Sequence, residues 1–198
     1  MGANLMSDVQ QSEVIKILTD ILDELKIGYA IGGSIASSIY GTPRFTQDAD
    51  ISVQPFSSVA ERFYEMLKDS FYISKEAMYQ AISSHSSFNV IHFETAFKID
   101  IFTVNTDFER LLLTRSKKNK IEESINKAFS LVSPEDIILL KLKWYKQSDC
   151  VSERQWSDVQ GVLAVQKERL DFDYLKNWAK KLELNELLQK VMANLDLH

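Results

Sequence analysis

"GGSIASSIYGTPRFTQDAD", residues 32–50, sets two glycines and a serine ahead of two aspartates on alternate positions. Two readings are open. One is a turn, a short helix and a strand with a polar face. The other is a phosphate cradle beside a metal site. The stretch divides naturally. "GYAIGG" reads as a short strand entering a turn, "SIASSIYG" as a helix from Ser34 stopped by Gly41, and "DADISV" as an alternating strand. Side chains two apart on a strand share a face, so Asp48 and Asp50 point the same way. Adjacent carboxylates repel unless a cation sits between them, and hard oxygen ligands suit Mg²⁺. Taken alone, the pair also fits a solvated strand face.

The partners lie further along. In "FKIDIFTV", Asp100 stands opposite the apolar Ile99 and Ile101, and Lys98 and Phe102 share its face. An acid in an apolar strand is costly if buried alone. It makes sense beside the strand of Asp48 and Asp50, where it completes a three-carboxylate site. Glycines before a helix let backbone N–H groups approach a phosphate, and the helix start favours negative charge. Ser34 either caps that helix or donates to a phosphate.

The remaining elements follow from periodicity. "SEVIKILTDILDELKI" has helical spacing with Ser12 as its N-cap; "SSVAERFYEMLKDS", "KEAMYQAIS" and "DFERLLLTRS" are also helical. "FNVIHFE" and "FKIDIFTV" pair as a hairpin, and "KNKIEESINKAFSLV" holds one or two short strands. From residue 133 the texture is helical. "SPEDIILLKLKWYKQ" opens with Ser133 as N-cap and Pro134 in the first turn. "SERQWSDVQGVLAVQ" opens with a Ser152–Gln155 capping box. Two further helices follow in "DFDYLKNWAKKL" and "NELLQKVMANL". The expected class is α+β: a mixed sheet flanked by helices over 1–132, then a helical bundle over 133–198. No Pro/Gly-rich joint separates them, so the bundle is expected to pack on the sheet part.

At 198 residues, 45% hydrophobic and 26% charged, the chain can bury a core without staples. One cysteine, Cys150, excludes an internal disulfide and a cysteine-based zinc site and fits a reducing cytoplasm. His85, His92 and His198 lack metal-ligand spacing. The start, "MGANLMSDVQ", carries no leader pattern. Gly2 invites N-myristoylation, but Met6 stands where Ser or Thr is required. No apolar run approaches the roughly 18 residues of a membrane span. The expected location is the cytoplasm, with no membrane partner.

The net charge of −5 speaks against broad capture of nucleic acid. It is uneven: residues 1–113 hold 15 acids and 8 bases, residues 114–198 hold 13 acids and 15 bases. That pattern arises by chance or reflects a cation-holding half and a phosphate-holding half. Lys141 falls among Ile137, Ile138, Trp144 and Tyr145 on a helix. Its stem either packs while the ammonium reaches water, or the ammonium serves a phosphate. Asp158 is placed to pair with Arg154 one turn earlier. Trp144, Tyr145, Trp156 and Trp178 read as core aromatics rather than a base-stacking platform.

Taken together, "YAIGGSIASSIYGTPRFTQDADISV" and the later Asp100 resemble the nucleotidyltransferases of the DNA polymerase β superfold. They are most similar to the bacterial branch near the AbiEii-type toxins and the kanamycin-nucleotidyltransferase-like proteins. An Arg and a Thr typically precede the aspartates there, and Arg44 and Thr46 stand here. The resemblance covers residues 28–104, and Lys141 and Asp158 match the branch's distal motifs. Two features depart from it: "WYKQSD" lacks the Arg expected after the distal lysine, and position 161 is Gly.

The resemblance implies transfer of a nucleoside monophosphate from an NTP to a hydroxyl, with two Mg²⁺ ions, or Mn²⁺, held by Asp48, Asp50 and Asp100 as metal ligands and catalytic residues. Gly32, Gly33, Ser34, Arg44, Lys141 and Asp158 would form the nucleotide-binding set. The acceptor could be tRNA, a protein or a small molecule; the basic stretch Arg115, Lys117, Lys118 and Lys120 could contact backbone phosphates. A toxin role with an antitoxin partner belongs to the same implication. The alternative is a non-catalytic nucleotide-binding or protein-interaction module on the same fold.

Overall fold

The structure, a computed structural model, describes residues 8–196; the readings placed on Gly2, Met6 and His198 lie outside them. In chain order the described residues form α1 (Asp8–Glu24), β1 (Tyr29–Ile31), α2 (Gly33–Tyr40), β2 (Asp48–Val53), α3 (Ala60–Leu67), β3 (Phe71–Ile73) and α4 (Lys75–Ser84). Then come β4 (Ser87–His92), β5 (Lys98–Thr103), α5 (Asp107–Thr114), β6 (Lys117–Asn119) and β7 (Phe129–Leu131). Four α-helices follow among the described residues: α6 (Pro134–Gln147), α7 (Glu153–Gln166), α8 (Phe172–Lys181) and α9 (Asn185–Asp196). The class is α+β, with a mixed sheet flanked by helices and a helical C-terminal segment. Among the described residues no helix is long and apolar enough to cross a membrane.

The chain forms two compact units. One holds the residues up to Ile31 together with Phe45–Leu131; the other holds Gly32–Arg44 together with the residues from Val132 on. The first contains the sheet, in the order β3-β4-β5-β2-β1-β7-β6. β2 runs parallel to β5 and β1 parallel to β7; the other neighbours are antiparallel. The expected hairpin of β4 and β5 is present. β3, which periodicity did not reveal, pairs with β4 at one edge.

Alternation explains how the sheet is oriented. β2 buries Ala49, Ile51 and Val53 and leaves Asp48, Asp50 and Ser52 on the other face. β5 buries Ile99 and Ile101 and leaves Lys98, Asp100 and Phe102. The apolar face packs with α3 and α4, through Phe63 against Phe88 and the buried Leu67, Met78 and Ile82. Each such side chain contributes about 1.5–3 kcal/mol. A slip of one residue in either strand would drive its acids into that core. The register of the carboxylates is thus set by the aliphatic residues between them.

The second unit packs α2 against α6 and α7, burying Ile35, Ala36 and Tyr40. Gln166 Nε2 donates to the Tyr40 carbonyl at 2.9 Å. A Cβ on Gly41 would lie 2.7 Å from the Val162 amide nitrogen and 2.8 Å from the Gly161 carbonyl carbon. Only glycine permits this approach of α2's end to α7. α6 starts as expected, with Ser133 Oγ accepting from the Asp136 amide and Pro134 in the first turn.

Two caps differ from expectation. Ser12 does not cap α1; it lies inside the helix, 2% exposed, because "DVQQ" contains no Gly or Pro to stop the helix extending upstream. Ser152 stands at the N-cap of α7 but makes no side-chain capping bond, so the Ser152–Gln155 box is not formed.

Candidate functional site

The first cluster lies on the polar sheet face of the first unit. In the parallel β2–β5 register Asp50 stands opposite Asp100 and Asp48 opposite Lys98. Neighbouring strands are roughly 4.8 Å apart, and like charges directly opposite destabilise a sheet. The chain answers with a cation: Lys98 Nζ lies 2.6 Å from Asp100 Oδ2. That hydrogen bond holds the Lys98 ammonium above its ordinary value; burial opposes it, and the charges of Asp100, Asp48 and Asp50 add to it. Asp48 is oriented from its own approach loop. Thr46 Oγ1 donates to Asp48 Oδ1 at 2.9 Å, and Gln11 of α1 donates to the Thr46 carbonyl at 2.7 Å.

The donor set suits a hard divalent cation, because three carboxylates and no soft ligand share one face of adjacent strands. Its placement falls short of a complete ligand shell. Among the described residues no three His, Cys, Asp or Glu side chains are arranged to hold a metal ion, and Asp100 is engaged by Lys98.

The second cluster lies within the other unit, at the start of α2. Gly33 has φ 55°, a left-handed backbone that glycine tolerates and β-carbon residues resist. Gly32 is the N-cap residue and makes no side-chain cap, so Ser34 does not cap the helix. Ser34 Oγ instead accepts from Arg44 Nη2 at 2.5 Å. Ser38 Oγ accepts from the Arg44 amide at 3.2 Å and fixes that residue's backbone. Arg44 then reaches Asp158 of α7 through Nε at 2.8 Å and Nη2 at 2.9 Å. Lys141 Nζ of α6 lies 2.7 Å from Asp158 Oδ2, and both side chains are 5% exposed. Burial pushes the Asp158 carboxyl up, but the hydrogen bonds from Arg44 and Lys141 outweigh it and hold it below its ordinary value.

The anticipated residues therefore fall into two groups. Asp48 and Asp50 share a face by strand alternation, and the β2–β5 pairing puts Asp100 opposite Asp50. Ser34, Arg44, Lys141 and Asp158 come together in the helical unit, with Gly32 and Gly33 opening α2. Three expectations are corrected. Of the two readings of Lys141, the ammonium in water is not the one found; Asp158 meets it inside the unit. Asp158 bonds Arg44 and Lys141 instead of Arg154, because packing of α7 turns it toward α2 and α6. Trp144 is 50% exposed rather than core, although it follows the buried Ile137 and Lys141 along one side of α6. The residue whose part sequence reasoning passed over is Lys98. Its signal was visible: a lysine two positions before an acid on a strand shares that acid's face.

The fold is that of the nucleotidyltransferases. In particular, the chain is similar in structure to the antibiotic-resistance factor ANT(2'')-Ia, with a TM-score of 0.56 at 14% identity, covering 97% of this chain and 98% of that one. It is also similar to an antigenic nucleotidyltransferase-like protein from Paracoccidioides brasiliensis, with a TM-score of 0.59 at 17% identity, covering 93% of this chain and 86% of that one. At such identities the likeness is one of fold. No protein-family model matches the sequence, and no curated protein matches it.

Proposed function

We propose that the protein transfers a nucleoside monophosphate from an NTP to a hydroxyl acceptor. The observation that carries this reading is the in-register pair Asp50 and Asp100, with Asp48 on the same face, in a nucleotidyltransferase fold. Asp48 and Asp50 would hold Mg²⁺ on the triphosphate, and Asp100 would join them on a second ion. Bound Mg²⁺ supplies neutralisation of phosphoryl charge. The protein's own work is positioning. Thr46 sets the Asp48 carboxylate. Gly33 and Ser34 open α2 where its N–H groups favour phosphate, and Arg44 and Lys141, both held by Asp158, would be the cationic members of the nucleotide-binding set. The acceptor oxygen attacks the α-phosphorus, its proton passes to Asp100, and the bond to the β-phosphate breaks to release pyrophosphate.

The branch of the fold, the acceptor (tRNA, protein or small molecule) and a toxin role with an antitoxin partner rest on the sequence resemblance, and a cytoplasmic location rests on the single cysteine and the start of the sequence. The division into a sheet domain over 1–132 and a helical domain over 133–198 rests on the change from mixed to helical texture at residue 133. A second reading, a nucleotide-binding module without catalysis, is favoured by the Lys98–Asp100 pair and the incomplete ligand shell.

One assay separates the two. The protein is incubated with Mg²⁺, each α-labelled NTP, and total cellular RNA and protein, beside Asp48→Asn. Label transferred by the wild type, and reduced about 100-fold or more in the variant, is the expected result. NTP binding with no transfer to any acceptor and no dependence on Asp48 would overturn it in favour of the module.

A further inference from the structure

We propose that Lys98 is the resident counter-cation of the carboxylate face, and that its ammonium must leave Asp100 before a divalent ion is held there. The inference rests on the reading of Asp48, Asp50 and Asp100 as metal ligands. It adds a residue that the reading itself does not assign.

Three observations converge on it. The first is geometric: Lys98 sits two positions before Asp100, on the same face, with its ammonium 2.6 Å from Asp100 Oδ2. The second is the register. Lys98 stands opposite Asp48 on the parallel neighbour, and Asp50 stands opposite Asp100, so one ammonium is placed amid three acids. Without a cation these acids would repel across adjacent strands. The third is the ligand shell. Asp100 gives its Oδ2 to Lys98. An oxygen given to the ammonium is not given fully to a divalent ion, and the ammonium's charge repels a second cation on the same face. The Lys98 side chain is 42% exposed, so its flexible stem can swing into solvent without disturbing the core.

Metal binding is then an exchange of one cation for another. The ammonium keeps the face assembled in the absence of metal, and its departure opens Asp100 as a ligand. Lys98 is a positioning residue in this scheme, acting through Asp100.

The test reads Mn²⁺ binding without nucleotide, by counting free Mn²⁺ in electron paramagnetic resonance. Lys98→Met removes the charge and keeps the stem. It is expected to bind Mn²⁺ about tenfold more tightly than wild type, since a like charge has been taken from a cation site. Lys98→Arg, which retains the cation, is expected to remain at the wild-type affinity or below. The metal-free Lys98→Met protein is expected to melt lower than wild type and to recover more on adding Mn²⁺. A measurement on the wild type covers the case in which a variant does not fold. Mg²⁺ titration followed by the lysine Nζ resonances should shift one signal, and Asp100→Asn should abolish that shift.

Wild-type Mn²⁺ binding that needs Asp48 but is the same in Lys98→Met overturns this proposal and leaves the functional reading standing. No Mn²⁺ binding by wild type or by Lys98→Met overturns both.

Discussion

Asp158 accepts from two cations while its side chain is 5% exposed. Removing one member of a buried pair leaves the other charges uncompensated, at about 3–5 kcal/mol. Asp158→Ala is therefore expected to lose stability of that order in urea unfolding; a loss within 1 kcal/mol, about what an exposed pair is worth, would refute the assigned network. The pH dependence has a definite sign. The folded Asp158 carboxyl lies below its ordinary value of 3.8. Its contribution is thus present above that pH and lost as pH falls through the folded value. Asp158→Asn, with no carboxyl to protonate, should show a shallower loss of stability on the acid side than wild type, and identical acid limbs would count against it. This network could not be read from the sequence. Arg44 and Asp158 are 114 positions apart, and helical spacing offered the nearer Arg154. The carboxylate face was legible for the opposite reason, since strand alternation is local: Asp48 and Asp50 alternate with Ala49 and Ile51, and Asp100 stands between Ile99 and Ile101.

At the scale of elements, legibility followed length and punctuation. The long amphipathic helices and the six-residue strands β2, β4 and β5 carry a clear period. β3 is three residues long, too short for a period to show, and unlike the equally short β1 it has no flanking glycines to mark it. Gly161 was visible only as a departure from a family pattern, and the structure supplies its reason. A Cβ there would meet Thr42 Oγ1 at 3.0 Å and the Thr42 amide at 3.1 Å. Its counterpart Gly41 is tighter and faces backbone, which cannot swing aside. Gly41→Ala is expected to cost about 1–3 kcal/mol by overpacking and to lower the melting temperature by roughly 2–4 °C per kcal/mol. Gly28→Ala is the control. Its nearest neighbour is the Gln54 side-chain oxygen at 3.0 Å, a flexible end, so little change is expected. Equal melting of the two variants would show that the α2–α7 approach is looser than described.

At the scale of the whole molecule, the helical unit is discontinuous. It is made from Gly32–Arg44 and the residues from Val132 on, so the opening motif is split between the two units at residues 44 and 45. A fragment of residues 132–198 would lack α2, which fills the groove of α6 and α7 with Ile35, Ala36 and Tyr40. That fragment is expected to be helical by circular dichroism but to melt without cooperativity. Joining residues 32–44 to it through a flexible linker is expected to restore a cooperative transition. A cooperative melt of the bare fragment would show that α2 is dispensable.

The discontinuity also bears on how the chain is made. α2 leaves the ribosome more than ninety residues before α6 begins at Pro134. At about 5–20 residues per second, its apolar stripe waits roughly 5 to 20 s for the helices that will cover it. During that interval the newborn chain displays Ile35, Ala36 and Tyr40 to the cell. Nascent-chain chaperones would find a foothold there, and the helical unit is completed only once α6 and α7 have emerged.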